Sequence, residues 1–273
     1  MSYAYDNEDF SRYYDEFVAK HIPTDVYWTS TVKDVYIEII KRTIMQDSIV
    51  VELGCGTGEN LFYFREYFKN LNMKFIGIDH SEMMLKRARE KLNDETKHSI
   101  EFIHENLTNF ARLFPEQSID CILLPAGTFH HLITNLEREQ FIKNIQQTLR
   151  SQTGLFALYL MPDSFIRIET IAEPNNQDKF QLISSENRQE NDQEWICKST
   201  FQFDIPPKIN LSWDLRTCSI TNLIDFFLLN DFQLVSVCLN GQDLENVNET
   251  IRSSLNNLST PVILVFRTIK NTN

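Results

Sequence analysis

Residues 50–60 read VVELGCGTGEN, a stretch that concentrates glycine in a chain with little of it elsewhere. The whole chain has seven glycines, and three of them stand on alternate positions here, at Gly54, Gly56 and Gly58. An apolar run precedes them, and an aromatic, helical pattern follows over residues 61–68. Because glycine has no Cβ, the backbone can turn sharply there and approach another group closely. The stretch therefore predicts a strand, a tight turn and a helix, with a ligand near the turn.

The chain after residue 48 alternates between short apolar runs and helical patterns. We predict strands at Ile49–Leu53, Lys74–Ile78, Ile100–His104, Ile119–Leu124, Leu155–Leu160, Phe232–Cys238 and Val262–Thr268. Helices are predicted at Thr31–Thr43, Asn60–Lys69, Ser81–Leu92, Leu136–Leu149 and Ile220–Leu229. Strands and helices in alternation are typical of a parallel sheet with right-handed crossovers. The expected fold class is α/β: a Rossmann-like, doubly wound, mostly parallel sheet of about seven strands.

Two stretches depart from this alternation and suggest a division of the chain. Residues 1–47 carry aromatic and apolar residues at helical spacing and are predicted to form an N-terminal helical lid. Residues 162–217 are polar but rich in aromatic residues, and Lys179–Ser184 and Glu194–Phe203 alternate like antiparallel strands. We interpret this second stretch as an inserted antiparallel β cap. The core then comprises residues 48–161 and 218–273.

Composition and charge limit the classes of function. The chain has 273 residues, 42% of them hydrophobic, which suffices for a substantial core. A formal net charge of −12 repels nucleic-acid phosphates and anionic lipid, so neither a nucleic acid nor a membrane is expected as partner. The five cysteines are scattered without a Cys-x-x-Cys pair, which favours reduced thiols in a cytoplasmic protein and no bound metal. No feature of the sequence predicts the oligomeric state.

Two common glycine motifs do not fit the stretch at residues 50–60. A dinucleotide-binding turn has the spacing Gly-x-Gly-x-x-Gly, but Glu59 stands where its third glycine would be. A carboxylate there opposes the pyrophosphate that a helix N-terminus attracts. A P-loop also fails, since no Gly-Lys-Ser/Thr follows. A ligand with a cationic amino-acid portion fits better, because Glu52 at the end of the strand can offer its carboxylate to an ammonium group.

Residues 52–58, Glu-Leu-Gly-Cys-Gly-Thr-Gly, resemble the glycine-rich motif of class I S-adenosylmethionine-dependent methyltransferases. The resemblance covers residues 48–161, and residues 218–270 by the order of elements only. In that family the second strand ends in an acid that binds the ribose hydroxyls, a position held here by Asp79. The family's Asp that accepts the adenine amino group is replaced by Asn106, whose amide oxygen would accept the same bond without charge. The resemblance implies S-adenosylmethionine as cofactor, held by Tyr14, Glu52, Gly54, Cys55, Gly56, Asp79, His80, Met84, Asn106, Leu107 and Ala126.

Methyl transfer is expected at the loop after the fourth strand, because ligands of such sheets bind at the carboxyl ends of the strands. Residues 125–132 read PAGTFHHL and lack the Asn/Asp-Pro-Pro-Tyr box common in amino-methylating nucleic-acid enzymes. This absence favours a small-molecule acceptor. His131 and His130 are both candidate catalytic bases, since a histidine can take a proton from an amine or a hydroxyl. At most one of the two is expected to face the ligand, and position favours His131, by resemblance to small-molecule and amino-sugar N-methyltransferases.

The N-terminal segment and the insert are expected to enclose the acceptor. Tyr14 belongs to a Tyr-Tyr-Asp segment that resembles one folding over the cofactor in such enzymes, and it is a further candidate for the catalytic site. Trp28, Trp195, Trp213 and Arg216 are candidate pocket residues, and Arg216 would matter for an acceptor with a carboxylate or phosphate. For each of them, packing without a role in binding is the alternative interpretation.

The sequence as a whole predicts transfer of a methyl group from S-adenosylmethionine to N, O or C of a small molecule. One alternative is a protein or peptide methyltransferase, which would need an open groove in place of a closed cap. Another is a regulatory protein that binds S-adenosylmethionine without turnover. A nicotinamide-dependent oxidoreductase is opposed by the glycine spacing. The identity of the acceptor and the methylated atom are not encoded in any motif.

Overall fold

Short apolar runs of the sequence form the strands of a central sheet. The computed structural model describes residues 4–21, 30–45, 47–169, 180–204, 208–245, 247–255 and 258–269. Its strands are β1 (Ile49–Leu53), β2 (Lys74–Asp79), β3 (Ile100–His104), β4 (Cys121–Leu124), β5 (Leu155–Leu160), β6 (Phe180–Gln189), β7 (Trp195–Phe203), β8 (Ile209–Arg216), β9 (Phe232–Leu239), β10 (Gln242–Leu244) and β11 (Val262–Thr268). Its α-helices are α1 (Glu8–His21), α2 (Ser30–Lys41), α3 (Glu59–Tyr67), α4 (Glu82–Glu90), α5 (Asn135–Thr148), α6 (Asp163–Ile166), α7 (Ile220–Leu229) and α8 (Glu249–Ser254).

The central sheet has the strand order β10-β9-β11-β5-β4-β1-β2-β3. Strands β1 to β5 pair in parallel, whereas β11 runs antiparallel to β5 and β9, and β10 runs antiparallel to β9. The chain begins in the middle with β1, proceeds to one edge at β3, and returns to the other side of β1 with β4. The carboxyl ends of β1 and β4 therefore lie side by side where the order reverses, the place at which such sheets bind ligands. The predicted fold class is confirmed, with β10 as an additional short strand.

Side chains alternate between the two faces of this sheet and build a hydrophobic core on each. Val51 and Leu53 point to the face covered by α5 and α7. Val50 points to the opposite face, where α2, α3 and α4 pack. Because both faces are covered, the strands are continuous apolar runs rather than alternating ones. The two cores fix the strand ends, and with them the loops that follow β1, β2 and β4.

The stretch between β5 and α7 contains a separate three-stranded antiparallel sheet of β6, β7 and β8. It packs against α1 through aromatic rings: the ring centres of Phe10 and Phe203 are 4.9 Å apart, and those of Phe17 and Phe180 are 5.0 Å apart. The sequence predicted two of these strands and missed β8. Residue 179, at the start of one predicted strand, lies outside the described residues.

The first part of the chain is helical, as the spacing of its apolar residues predicts. The second helix begins at Ser30 and ends at Lys41, against a prediction of Thr31–Thr43. Residues 22–29 lie outside the described part of the chain. Within the described residues, no helix is long and apolar enough to cross a membrane.

Candidate active site

The turn after β1 needs glycine for reasons of space as well as conformation. Gly54 and Gly56 have φ values of 71° and 52°, in the left-handed region that other residues adopt only with strain. A Cβ on Gly54 would lie 2.5 Å from Cγ2 of Thr128, in the loop after β4. The N–H groups of Gly54 and Cys55 both donate to the carbonyl oxygen of Ile78, at 2.7 and 3.1 Å. The turn is therefore hydrogen-bonded to β2 and packs closely against the loop after β4.

Asp79, the last residue of β2, holds the other side of this turn. Its Oδ2 accepts the N–H of Gly56 at 2.8 Å, and its Oδ1 accepts the N–H of Ser81 at 2.8 Å. Burial raises the pKa of Asp79, while these two backbone hydrogen bonds act in the opposite direction. Each carboxylate oxygen has a second lone pair, which remains able to accept a hydrogen bond from a ribose hydroxyl.

Glu52, in β1, is buried next to the turn with part of its hydrogen-bonding capacity unused. The residue is 1% exposed, and its Oε1 accepts a hydrogen bond from Nδ2 of Asn60 at 2.6 Å. Neither Oε2 of Glu52 nor Oδ1 of Asn60 has a hydrogen-bond partner among the described residues. Burial raises the pKa of Glu52 to about 8. Two buried acceptors without donors fit a ligand ammonium group, such as the one in the methionine portion of S-adenosylmethionine.

Asn106, after β3, is arranged differently from its predicted role. Its Oδ1 accepts hydrogen bonds from both the backbone N–H and the hydroxyl of Thr108, each at 2.8 Å. The amide oxygen is therefore engaged within its own turn, and the NH2 group is the part of the side chain left for a ligand. An NH2 group donates, so it suits a ring nitrogen of adenine rather than the adenine amino group.

These groups surround one cavity of about 580 Å³ at the carboxyl ends of β1, β2, β3 and β4. Its lining includes every residue predicted to hold the cofactor: Tyr14, Glu52, Gly54, Cys55, Gly56, Asp79, His80, Met84, Asn106, Leu107 and Ala126. The volume falls within the roughly 300–1,000 Å³ of pockets that bind small molecules. The residue types present, two carboxylates beside a glycine turn and apolar groups at Met84 and Leu107, fit an adenosyl ligand with a charged amino-acid end.

The N-terminal segment covers this cavity and is fastened to the glycine turn. The carboxylate of Asp15 accepts a hydrogen bond from the hydroxyl of Thr57 and forms an ion pair with Lys91 at 2.6 Å. The hydroxyl of Ser81 donates to the carbonyl oxygen of Tyr5 at 2.7 Å. Tyr5 and Tyr14 both line the cavity, and their ring centres are 6.1 Å apart.

The two candidate histidines lie on the short 3-10 helix Thr128–His131 but have different surroundings. His131 lines the cavity, with its ring centre 5.7 Å from that of Tyr5, and burial lowers its pKa to about 4. His130 is completely buried; its Nδ1 bonds to the carbonyl oxygen of Arg216 at 2.8 Å, and its Nε2 accepts the N–H of Met161 at 3.1 Å. Both ring nitrogens of His130 are thus used by the backbone, so the structure does not bring His130 to the ligand.

Arg216 and the tryptophans of the insert do not line the cavity in the described structure. Arg216 is 3% exposed, and its guanidinium pairs with the carboxylate of Glu194 at 2.5 Å, which also pairs with Arg138 at 3.2 Å. Trp195 packs against Arg167 with 3.9 Å between the guanidinium carbon and the ring centre, and Trp213 packs on Tyr5 and Phe10. Trp28 lies outside the described residues.

Several residues that line the cavity were not found from the sequence. They are Tyr5, Asp15, Lys33, Thr57, Asn60, Thr128 and Glu137, among others. Thr57 stands inside the glycine motif and Asn60 just after it, so their positions are implied by the turn. Lys33 carries no local signal, because it reaches the site only through the packing of α2 against the sheet.

A parallel sheet with this order, a glycine turn after β1 and an acid at the end of β2 define the class I S-adenosylmethionine-dependent methyltransferase fold. Comparisons with known proteins agree. Residues 50–152 match the family model described as "Methyltransferase domain". Over 116 residues the chain is 34% identical to a probable S-adenosylmethionine-dependent methyltransferase, CRG1, of Saccharomyces cerevisiae. That match covers 42% of this chain and 36% of the yeast protein, so the chain spans about a third of this relative's length.

Two solved structures share the fold over nearly the whole chain. The CcbJ methyltransferase of Streptomyces caelestis superposes with a TM-score of 0.69 at 15% identity, covering 98% of this chain and 99% of that one. The sugar N-methyltransferase KedS8 of a Streptoalloteichus species gives a TM-score of 0.60 at 12% identity, covering 93% and 92%. Residues 50–152 thus match a methyltransferase domain, the chain shares the fold of S-adenosylmethionine-dependent methyltransferases, and the cavity fits S-adenosylmethionine as the cofactor.

Proposed function

We propose that the protein transfers a methyl group from S-adenosylmethionine to N, O or C of a small-molecule acceptor, with His131 as the base for an amine or hydroxyl. The observation that carries the proposal is that His131 and all the predicted cofactor-binding residues line the same covered cavity. The bound cofactor supplies an electrophilic methyl group on a sulfonium centre. The acceptor's lone pair forms the new bond to that carbon as the carbon–sulfur bond breaks, leaving S-adenosylhomocysteine.

The chain contributes orientation, exclusion of water and a place for the proton. Asp79 and the glycine turn hold the ligand at one end, and Glu52 receives its ammonium group. Tyr5 and Tyr14 cover the cavity, which limits water and holds the acceptor in line with the methyl group. With a pKa of about 4, His131 is uncharged at neutral pH. A neutral imidazole does not repel the sulfonium and can accept the acceptor's proton.

The N-terminal residues that cover the cavity also favour a small acceptor over a protein. The covering residues belong to this chain and are held by Asp15 and Ser81, so they occupy the space that an extended peptide would need. The acidic charge of −12 opposes a nucleic acid. The charge and the covered cavity together favour a small-molecule acceptor.

The test has a binding step and a turnover step. S-Adenosylhomocysteine, S-adenosylmethionine and NADH are titrated into the protein by calorimetry, and small amines and hydroxyl compounds are then screened for release of S-adenosylhomocysteine. His131→Ala should lower turnover about 10²- to 10⁴-fold with little change in S-adenosylhomocysteine affinity. The exposed His98 serves as control, since His98→Ala should change neither.

Each contrary result identifies a different alternative. Methylation of proteins or peptides, with none of small molecules, supports the protein methyltransferase. Adenosyl binding without turnover on any acceptor supports a regulatory binding protein. Binding of NADH without adenosyl ligands overturns the proposal altogether.

A further inference from the structure

The loop that carries His131 has few hydrogen bonds of its own. Residues Thr128–His131 form one turn of 3-10 helix, in which the N–H of His130 donates to the carbonyl oxygen of Gly127 at 2.9 Å. The hydrogen bonds of a 3-10 helix have poorer geometry than those of an α-helix. The direction of the His131 side chain therefore depends on the groups that bind the loop from outside.

Two buried guanidinium groups bind the backbone that follows His131. Nε of Arg138 donates to the carbonyl oxygen of Leu132 at 3.0 Å, and Nη1 of Arg216 donates to that of Ile133 at 3.0 Å. Hydrogen bonds from a charged donor are stronger than those between neutral groups. The chain on the carboxyl side of His131 is therefore held by two arginine side chains.

The residue before His131 is bonded to the backbone of one of these arginines. The buried ring of His130 donates from Nδ1 to the carbonyl oxygen of Arg216 at 2.8 Å, and its Nε2 accepts the N–H of Met161 at 3.1 Å. Because a carbonyl oxygen only accepts and an N–H only donates, the ring is neutral with its proton on Nδ1. The neighbours of His131 on both sides are thus bonded to the arginine pair.

One carboxylate holds the two arginines together. Oε1 of Glu194 accepts a hydrogen bond from Arg138 at 3.2 Å, and its Oε2 accepts one from Arg216 at 2.5 Å. Glu194 lies in the turn between β6 and β7, where its N–H donates to Oδ1 of Asn191 at 2.9 Å. The three-stranded sheet therefore supplies the counter-charge for two buried cations, which would otherwise repel each other.

We propose that Glu194 is a positioning residue for methyl transfer, which fixes the backbone around His131 through Arg138 and Arg216 and so directs the His131 ring into the cavity. The inference rests on the proposed role of His131 and deepens it. None of Glu194, Arg138 and Arg216 belongs to the described residues that line the cavity, so their effect on turnover passes through the loop. The three-stranded sheet then sets the geometry of the base in addition to packing on α1.

The first measurement follows the His131 ring by NMR and needs no acceptor. The ring centres of His131 and Tyr5 are 5.7 Å apart in an edge-to-face arrangement, so their ring protons should show a nuclear Overhauser effect in the ligand-free protein. His131→Ala assigns the signal. Glu194→Gln should abolish this effect and still bind S-adenosylhomocysteine within about threefold of the wild-type affinity, because the cofactor-binding residues are unchanged.

A second variant keeps the test decisive where Glu194→Gln is too unstable to fold. Arg138→Met removes the bond to the carbonyl oxygen of Leu132 but leaves Glu194 paired with Arg216, so no charge is left without a partner. Arg138→Met should therefore fold and should also lose the effect between His131 and Tyr5. Glu194→Asp, which keeps the counter-charge, should retain part of it.

The control makes the same kind of change at the other end of β4. Asp120 is buried just before that strand, where it pairs with Arg150 at 2.7 Å and accepts the N–H of Ile49 at 2.9 Å. The loop of His131 follows the carboxyl end of the same strand. Asp120→Asn should destabilise the protein but leave both the effect between His131 and Tyr5 and the affinity for S-adenosylhomocysteine unchanged.

The second measurement is turnover of the first amine or hydroxyl compound that the screen shows to release S-adenosylhomocysteine. Glu194→Gln should lower kcat about 10- to 100-fold, the range expected for a reacting group displaced by about 1 Å. In a protein that already carries His131→Ala, the same change should lower kcat no further, because Glu194 acts through His131. A merely structural role lowers kcat by the same factor in both backgrounds.

Three results overturn the inference while the proposed function stands. They are an intact effect between His131 and Tyr5 in Arg138→Met, its loss in Asp120→Asn, and an equal loss of kcat from Glu194→Gln with and without His131. Full turnover by His131→Ala would overturn the role of His131 as base, and this inference with it.

Discussion

The carboxylate of Asp79 joins the end of β2 to the glycine turn after β1, because its Oδ2 accepts the N–H of Gly56 at 2.8 Å. The same carboxylate accepts the N–H of Ser81, and so also holds the start of α4. One side chain therefore fixes two backbone segments that border the ligand. Its removal should affect the ligand and the protein together.

Asp79→Ala should weaken S-adenosylhomocysteine binding at least about tenfold, since it removes charge-assisted hydrogen bonds to the ribose. It should also lower the free energy of unfolding, because each buried donor left without a partner costs about 1–3 kcal/mol. Asp79→Asn keeps an acceptor oxygen and should lose less of both. Calorimetry and urea unfolding measure the two effects. The exposed Asp94 provides the control, and equal affinities in Asp79→Ala and Asp94→Ala would contradict the assignment.

Gly54 and Gly56 should respond differently to alanine. A Cβ at Gly54 meets Thr128 at 2.5 Å, so Gly54→Ala should destabilise the fold by about 1–3 kcal/mol through overpacking and strain. A Cβ at Gly56 has only Tyr14 nearby, at 4.0 Å, so the cost should be about 1 kcal/mol from the positive φ alone. Gly56→Ala should nevertheless weaken S-adenosylhomocysteine binding, because its methyl group extends into the cavity. A fully stable Gly54→Ala, or an unchanged affinity in Gly56→Ala, would contradict this account.

Glu52 should make the stability of the ligand-free protein depend on pH. The folded protein keeps a proton on Glu52 up to a pKa of about 8, whereas the unfolded chain loses it near 4.5. The folded state therefore binds more protons between these values, and the free energy of unfolding falls as the pH rises. His130 and His131, whose pKa values burial lowers from 6.5, act in the opposite direction, but only below about that pH.

The measurement is urea unfolding between pH 6.5 and 8, where the Glu52 contribution should be up to about 1.4 kcal/mol per pH unit. Glu52→Gln keeps the acceptor for Asn60 without a titrating proton, so its stability should be flatter over this window. Parallel curves for the two proteins would show that Glu52 does not titrate there.

Glu194 should be critical for stability because it lies between two buried guanidinium groups. Its carboxylate pairs with Arg138 and Arg216, whose side chains are 8% and 3% exposed. Glu194→Gln leaves two buried positive charges without a counter-charge, which should cost about 3–5 kcal/mol in thermal or urea unfolding. Glu190 pairs with Arg188, whose side chain is 71% exposed, so Glu190→Gln should change stability by less than about 1 kcal/mol. Similar losses in the two variants would contradict this assignment.

The central sheet could be predicted closely from the sequence. Its buried strands are continuous apolar runs, and β1, β3, β5 and β11 begin and end where those runs do. Strand β8 was missed although it alternates polar and apolar residues. Its polar positions, Asn210, Ser212 and Asp214, lie in a stretch of the chain that is polar overall, and such a stretch is easily interpreted as a loop. The glycine motif also predicted the methyltransferase domain that residues 50–152 match, because the glycines of this turn let its backbone come close to a ligand.

The candidate site could be predicted only where motif residues form it. Asp79 and Glu52 follow directly from strand ends, but Lys33 comes from a helix whose position depends on tertiary packing. The adjacent histidines could not be separated by spacing alone: a 3-10 turn directs His131 to the cavity and His130 into the core, where two backbone groups bind its ring. Arg216 was interpreted as a residue that could bind an anionic acceptor. The sequence does not reveal that its guanidinium is already paired with Glu194, because folding brings these two residues together.

The contacts of Asp15 with Lys91 and Thr57, and of Ser81 with Tyr5, have a consequence for the rate of the catalytic cycle. These polar contacts hold the N-terminal residues over the cavity, and they can break without disrupting either face of the central sheet. If this segment must move for product to leave, the aromatic packing of α1 on the three-stranded sheet has to yield along with the polar contacts. We therefore expect product release to be slow compared with a site held by surface contacts alone.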